Sequence, residues 1–250
     1  KNEIVQAKSL TSIKQLEESI FFERPTLSLS QKLIQENATG IIAEYKRKSP
    51  SKGIINDKYT TLDIVKQYEA AGVSGSSILT DNLFFGGTVQ DLISIRNAVN
   101  IPLLRKDFMI DEYQFYEAKS IGADVVLLIA AILTPQEVKN FTTIAHSLNL
   151  EVLLELHDES ELQHVCADVD MVGINNRNLK TFEVDIEQSI SMSEKLVNSF
   201  VQVAESGISS VATLKQFKQH GFQGFLIGEN FMKTENPGFA CQQFITELLA

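Results

Sequence analysis

The 250-residue chain contains no tryptophan and only two cysteines, Cys166 and Cys241. Two thiols do not make a disulfide framework, and no Cys-x-x-Cys or Cys/His cluster is present to hold zinc. The four histidines, His146, His157, His164 and His220, contain no HExxH pair. Positive charge is short as well: 22 Lys and Arg stand against 32 Asp and Glu, giving a net charge of −10 and a pI near 4.9. Nucleic acids and anionic membranes are gripped by Lys and Arg, so neither is an expected partner. The longest apolar run, Val125 to Leu133, is far below the roughly 20 residues that span a bilayer. No GxGxxG follows the first β-rich run and no GxxxxGK[ST] occurs, so a dinucleotide or P-loop site is not supported. The chain opens Lys1-Asn2-Glu3 without an initiator Met or a signal-peptide core, so one or more preceding residues are expected, in a cytoplasmic protein.

What is present is a repeat. The composition is 44% apolar with a mean hydropathy of −0.01, which is globular. From residue 41 onward, short β-rich runs alternate with helix-like stretches. The predicted strands are Ile41–Lys46, Ser76–Thr80, Pro102–Lys106, Asp124–Ile129, Glu151–Glu155, Asp170–Asn175, Val201–Glu205 and Gly224–Gly228. They recur about every 26 residues, the size of a βα unit. Thr134-Pro135-Gln136-Glu137 combines an N-cap, a proline at the first helical position and a capping-box glutamate. Thr60 with Asp63, and Asp158 with Glu161, repeat that logic. Gly72, Gly122 and Gly221 fall where helices must turn back into strands. Eight such units without a composition shift predict an α/β fold, a single (β/α)8 TIM barrel over residues 1–250. Residues 1–40 stand outside the repeat as an N-terminal helical extension. They carry one helical pattern from Ile4 to Ile20 and a second at Leu29, Leu33 and Ile34. They fit two roles equally: a plug under the barrel, or a lid over its mouth.

Barrel chemistry collects at the carboxyl ends of the strands. Alternation along each strand puts Glu44 and Lys46, Lys106, Glu155, Asn175 and Arg177, and Glu205 on the interior face there. Three acids and three bases cancel in formal charge. Long charged side chains packed into a mouth lose water, which costs free energy unless they pair or bind something charged. Their convergence points to an ionised small molecule. The loops after strands seven and eight are the usual phosphate site of this architecture. They carry Glu205-Ser206-Gly207 and Gly228-Glu229, whose backbone amides can bind phosphate without net positive charge. Arg47, Lys48, Ser49 and Lys52 could add contacts. Gly86-Gly87 marks a mobile loop, with Phe84, Phe85 and Phe108 able to wall an aromatic ligand. Both cysteines read as packing in helical stretches.

The long run Ile41-Ile42-Ala43-Glu44-Tyr45-Lys46-Arg47-Lys48-Ser49-Pro50-Ser51-Lys52-Gly53 resembles the signature of the indole-3-glycerol-phosphate synthase family. The likeness continues, in order, through Leu79-Thr80-Asp81, Phe84-Phe85-Gly86-Gly87, Leu104-Arg105-Lys106-Asp107-Phe108 and Leu154-Glu155-Leu156-His157-Asp158-Glu159. It then takes in Gly173-Ile174-Asn175-Asn176-Arg177-Asn178-Leu179, Ala204-Glu205-Ser206-Gly207-Ile208 and Leu226-Ile227-Gly228-Glu229. Two departures stand out. Ser74-Gly75-Ser76-Ser77 is more polar than the Ala-rich stretch expected there. Glu229 stands where some members have Ser, so phosphate contact at this position falls to its backbone amide.

The resemblance implies ring closure, decarboxylation and dehydration of 1-(2-carboxyphenylamino)-1-deoxyribulose 5-phosphate, without a cofactor or metal, in tryptophan biosynthesis. Lys106 is similar to the family's general acid. Glu155, Glu44 and Lys46 would share the acid and base work of dehydration. Asn175 and Arg177 match residues that hold the anthranilate portion and its carboxylate, and Glu205 matches one that orients the site. Ser49, Ser206, Gly207, Gly228 and Glu229 match the phosphate pocket, and Phe84, Phe85 and Phe108 would enclose the ring. A monomer is expected in preference to an obligate oligomer. An unperturbed lysine, with a pKa of about 10.4, is a weak acid near neutrality. Burial would lower it, whereas ionised Glu44 and Glu155 would oppose that shift. Another sugar-phosphate barrel, such as an isomerase, and a non-catalytic metabolite-binding barrel are the two other readings.

Overall fold

The computed structural model describes residues 2–50, 52–177, 183–196 and 200–250. Ser51 of the first motif, and Asn178 and Leu179 of the sixth, lie outside the described residues. The eight strands are β1 (Ile41–Tyr45), β2 (Gly75–Leu79), β3 (Leu103–Lys106), β4 (Val125–Ile129), β5 (Glu151–Leu156), β6 (Met171–Asn175), β7 (Val201–Glu205) and β8 (Gly224–Ile227). Each lies within one residue of its predicted bounds. All pairs are parallel, and β8 returns to β1 to close the barrel. A short antiparallel pair, Lys48–Ser49 with Gly53–Ile54, sits in the loop after β1.

Strand alternation sorts the core into two layers. Ile42, Leu104, Leu127, Leu153, Val203 and Leu226 fill the barrel interior. Ile41, Ala43, Tyr45, Val126 and Leu154 face outward against the helices. The polar second strand is accommodated because its hydroxyls are used. Ser76 Oγ donates to the Ala43 carbonyl at 2.7 Å, and Ser74 Oγ accepts from the Gly40 amide at 3.1 Å.

The helices are α1 (Asn2–Leu10), α2 (Ile13–Glu17), α3 (Leu29–Ile34), α4 (Thr61–Ala71), α5 (Asn82–Phe85), α6 (Val89–Arg96), α7 (Tyr113–Ser120), α8 (Pro135–Ser147), α9 (Ile186–Ser193), α10 (Val211–Gln219), α11 (Glu229–Met232) and α12 (Pro237–Leu249). The capping boxes at Thr60 and Thr134 form as expected. The fifth unit differs: Glu159–His164 is a 3-10 segment, not an α-helix. A capping box would return the Glu161 carboxylate to the Asp158 amide. Instead it accepts from the His157 amide at 2.6 Å, one residue earlier, which tightens the turn. Cys166 lies just beyond that segment, half-buried, whereas Cys241 is buried in α12.

The N-terminal pattern divides into two helices because Ser12 starts a new capping box with Gln15. Of the two roles weighed for the segment, α3 takes the plug. Leu29 and Leu33 of α3 plug the lower end of the barrel interior. Gly75 and Gly224 make room there: a side chain at Gly75 would meet Leu29 Cδ1 at 2.7 Å, and one at Gly224 would meet Leu33 Cδ1 at 3.1 Å. The Glu151 carboxylate fastens this plug, accepting from the Leu29 and Ser30 amides at 2.8 and 3.0 Å. By contrast, α1 lies at the opposite end, on the connection after β3. Lys8 pairs with Asp111 at 2.7 Å, and Tyr113 Oη donates to the Thr11 carbonyl at 3.0 Å. Among the described residues no helix is long and apolar enough to cross a membrane.

Candidate active site

A cavity of about 370 Å³ opens at the carboxyl ends of the strands. Glu44, Lys46, Lys106, Glu155, Asn175 and Glu205 line it, with Ser49, Phe85, Phe108 and Arg177, and with Ser206, Gly207, Gly228 and Glu229 from the last two loops. Phe84 does not reach this cavity. It is 46% exposed and stacks edge-on against Phe108, with ring centroids 5.8 Å apart. It borders a second cavity behind that ring, shared with Asn2, Glu3 and Ile4 of α1.

The centre of the site is an ammonium between two carboxylates. Lys106 Nζ lies 2.9 Å from Glu155 Oε2 and 2.9 Å from Glu205 Oε2. Asn175 Nδ2 donates to Glu155 Oε1 at 2.9 Å, while its Oδ1 accepts the Arg177 amide at 3.0 Å. Glu44 Oε1 pairs with Lys46 Nζ at 2.7 Å. Two glycines exist to admit these acids. A side chain at Gly173 would strike Glu205 Oε1, and one at Gly228 would meet Glu44 Oε1 at 2.6 Å. Gly228 was singled out for phosphate; its missing Cβ also clears space for Glu44.

Burial alone would strip the Lys106 proton, because it disfavours the charged form. Glu155, Glu205 and Glu44 outweigh it and hold the ammonium well above the usual lysine range. Burial likewise opposes the Glu155 charge, but Lys106, His157 and Asn175 prevail and hold this carboxyl well below the usual carboxylate range. Glu205 goes the other way. Burial raises it most; Lys106 lowers it, Glu155 and Glu44 raise it again, and it is pushed up to about 7. Two adjacent acids thus take opposite protonation preferences, the pattern by which acid and base roles divide. Glu205 is expected to titrate near neutrality in the protein without ligand. Glu205→Gln is expected to remove that titration from a pH series of carboxyl NMR or infrared difference spectra; a neutral-range carboxyl signal persisting in the variant would assign it elsewhere.

The rim is built from the expected loops. Ser206 and Gly207 both have left-handed backbones, with φ of 66° and 73°. Such a conformation is uncommon for serine and is held only where neighbours fix it. Here Asn176 Nδ2 donates to the Ser206 carbonyl at 2.6 Å. Ser49 Oγ and Glu205 Oε1 are buried without a hydrogen-bond partner. Lys52 Nζ pairs with Glu229 at 2.6 Å, and Arg177 Nη2 lies 3.5 Å from the same carboxylate. Arg47 and Lys48 do not reach the cavity. Arg47 grips Asp91 and donates to the Gly86 carbonyl at 3.2 Å, while Lys48 Nζ donates to the Leu83 carbonyl at 2.8 Å. Both contacts are made to the loop that carries the double glycine. Among the described residues no group of three or more His, Cys, Asp or Glu side chains is placed to hold a metal ion.

The family model for indole-3-glycerol phosphate synthase matches residues 1–244 of the chain. The chain belongs to that family. A curated relative of that name from Bacteroides thetaiotaomicron is 48% identical over 243 residues, covering 97% of this chain and 93% of its own length. One from Polaromonas is 40% identical over 247 residues, covering 97% and 94%. Solved structures share the fold at low identity. The 3-hexulose-6-phosphate synthase of Salmonella typhimurium aligns with a TM-score of 0.67 at 13% identity, over 84% of this chain and 98% of its own. A tryptophan synthase structure from Pyrococcus furiosus aligns at 0.64 and 13%, over 84% and 97%.

Within this synthase-family chain, His157 is one of the polar mouth residues that the sequence pattern does not single out, with Asn230 and Lys233. It lines the cavity, with Nε2 3.0 Å from Glu155 Oε1. The signal was available: strand parity places Leu153, Glu155 and His157 on one face. The absence of an HExxH pair excludes one metal motif only; an imidazole can also serve as a counter-charge.

Proposed function

We propose that the chain catalyses the reaction of its family, converting 1-(2-carboxyphenylamino)-1-deoxyribulose 5-phosphate to indole-3-glycerol phosphate, CO2 and water. The observation that carries this reading is Lys106 held between Glu155 and Glu205 on the floor of an aromatic-walled mouth. Binding alone does not require an acid and a base in contact; bond-making with proton transfer does.

The ring carbon bearing the carboxylate attacks the ketone, and the carbonyl electrons move to oxygen. Lys106 Nζ donates a proton to that oxygen. The carbon–carboxylate bond then breaks, CO2 leaves and its electron pair restores the aromatic ring. In the dehydration the hydroxyl leaves as water with a proton from an acid, while a base removes the proton from the neighbouring carbon. Glu155, Glu44 and Lys46 are the groups for this second exchange. The balance takes up one proton for each carboxylate lost. Lys106 is too firmly protonated in the empty site to be a good acid. A substrate oxygen drawing Nζ away from one carboxylate would weaken that hold. Glu205, orienting the site, is the carboxylate better able to release it, because it accepts a proton near neutrality.

Asn175 and Arg177 would hold the anthranilate portion and its carboxylate. Phe85 and Phe108 would flank the ring, with Phe84 behind Phe108. Ser49 and the backbones of Ser206, Gly207, Gly228 and Glu229 would take the phosphate. A single barrel domain with residues 1–40 as its cap, acting as a cytoplasmic monomer on this phosphorylated small molecule, belongs to the same reading. Substrate added to purified protein is expected to yield indole fluorescence, against a background free of tryptophan. A folded sample that binds a substrate analogue yet shows no turnover would overturn the reading.

A further inference from the structure

His157 stands two residues beyond Glu155, on the loop that leaves β5. Its ring is wedged between two acids: Nε2 is 3.0 Å from Glu155 Oε1 and Nδ1 is 3.5 Å from Glu161 Oε2. The side chain is only 10% exposed. Each ring nitrogen faces a carboxylate oxygen, the arrangement of an ion pair when the ring is protonated. Glu161 is fixed in turn, because its Oε2 also accepts the His157 backbone amide at 2.6 Å. The Glu155 carboxylate is therefore held from three sides: Lys106 on Oε2, with Asn175 and His157 on Oε1.

We propose that His157, clamped by Glu161, is a positioning residue that keeps the Glu155 carboxylate charged and aimed at Lys106. It touches no reacting atom in this role. Its charge works in two ways. It favours the anionic form of Glu155, the form a base needs. It also offsets part of the negative charge that Glu155 presents to Lys106, so the ammonium is less tightly held when it must give up a proton.

The surroundings support a cationic ring. Burial disfavours the charge, but Glu155 and Glu161 outweigh it and push His157 up to about 10. The other ionisable groups facing this cluster are Lys106 from β3, Glu205 from β7 and Asp158 from the same loop. Asn175 from β6 is neutral, and the β4 side presents Leu127 and Ile129, which carry no charge. No other cation touches Glu155 besides Lys106 and His157 among the described residues. This inference rests on Glu155 taking part in proton transfer.

The test is kcat, KM and a carboxyl titration by infrared difference spectra for His157→Asn, Glu161→Gln and Glu155→Gln beside the wild type. His157→Asn is expected to lower kcat about tenfold with KM within about twofold, and to move the Glu155 carboxyl, followed by infrared difference titration, upward by about one pH unit, the low end of what a lost counter-charge does to a carboxyl. Glu161→Gln keeps the ring and is expected to give the same displacement, smaller. It also remains readable if His157→Asn fails to fold. A fall in Tm with kcat and the carboxyl titration unmoved would mean mere packing and would overturn the proposal. A raised KM at unchanged kcat would do the same. Glu155→Gln separates the two layers: if it is inactive while His157→Asn behaves as wild type, only the His157 role fails. If Glu155→Gln turns over normally, the Glu155 role fails and takes the His157 role with it.

Discussion

Lys106→Ala is expected to lower kcat by roughly 10²–10⁴-fold, the usual worth of a positioned proton donor, while KM changes little. The binding contacts for carboxylate, ring and phosphate come from other elements, so the loss should fall on kcat. The variant also exposes what the lysine does for the fold. Removing one partner of a buried ion pair costs about 3–5 kcal/mol when the other charge is stranded. Two carboxylates, Glu155 and Glu205, would be stranded here. Glu205 already accepts a proton near neutrality, and it can neutralise itself further. The stability loss should therefore be smaller at pH 6 than at pH 8, because protonation relieves the clash. Lys106→Arg keeps the charge but not the chemistry: a guanidinium stays charged and does not release its proton near neutrality. Its kcat is expected to stay near that of the alanine variant. The checks are steady-state kinetics on samples with native circular dichroism. A fall of less than about threefold for Lys106→Ala, with chemistry rate-limiting, would remove the lysine from the acid role.

The second large effect lies at the other end of the barrel. The Asp124 side chain is fully buried, and it takes four donors. Arg24 Nη2 and Arg96 Nη1 each lie at 2.6 Å, with the Leu27 and Leu103 amides at 2.8 and 2.9 Å. One carboxylate thus joins the N-terminal segment, α6 and β3. Asp124→Ala strands the buried Arg96 guanidinium and two amides, so the expected cost is about 3–5 kcal/mol. In a chain of this size that is a fall in Tm on the order of 10 °C. Asp124→Asn retains an acceptor and should cost less. Because this network is remote from the mouth, kcat of the folded fraction should stay within about twofold. Thermal melts and kinetics at low temperature measure both. A shift in Tm below about 2 °C would mean the network is dispensable.

The barrel itself was legible because its signals are local. β-rich runs ending in Gly or Asn, and Thr–Asp or Thr–Glu caps, fix where each element starts and stops. The fifth helix misled because the capping signature at Asp158 and Glu161 is also compatible with the tighter turn that a bond to the His157 amide produces. The mouth was legible through parity. Glu44, Glu155, Asn175 and Glu205 all face inward where alternation places them. What sequence could not supply was distance. Whether Lys106 is pulled toward neutrality by burial or held charged by its neighbours depends on contacts of 2.9 Å between three different strands. Adjacent phenylalanines gave the same difficulty. Phe85 enters the cavity and Phe84 does not, because the short helix α5 turns them to different sides. The cationic run after β1 divided likewise, with Ser49 on the cavity and Arg47 and Lys48 spent on holding the neighbouring loop.

The most direct measurement is the amount of CO2 released for each indole formed when the wild-type protein turns over its substrate. Ring closure with decarboxylation at this mouth predicts a ratio of one to one, with both products lost together in Lys106→Ala. Substrate consumption without CO2, as an isomerising barrel would give, or tight binding with neither product, would contradict it.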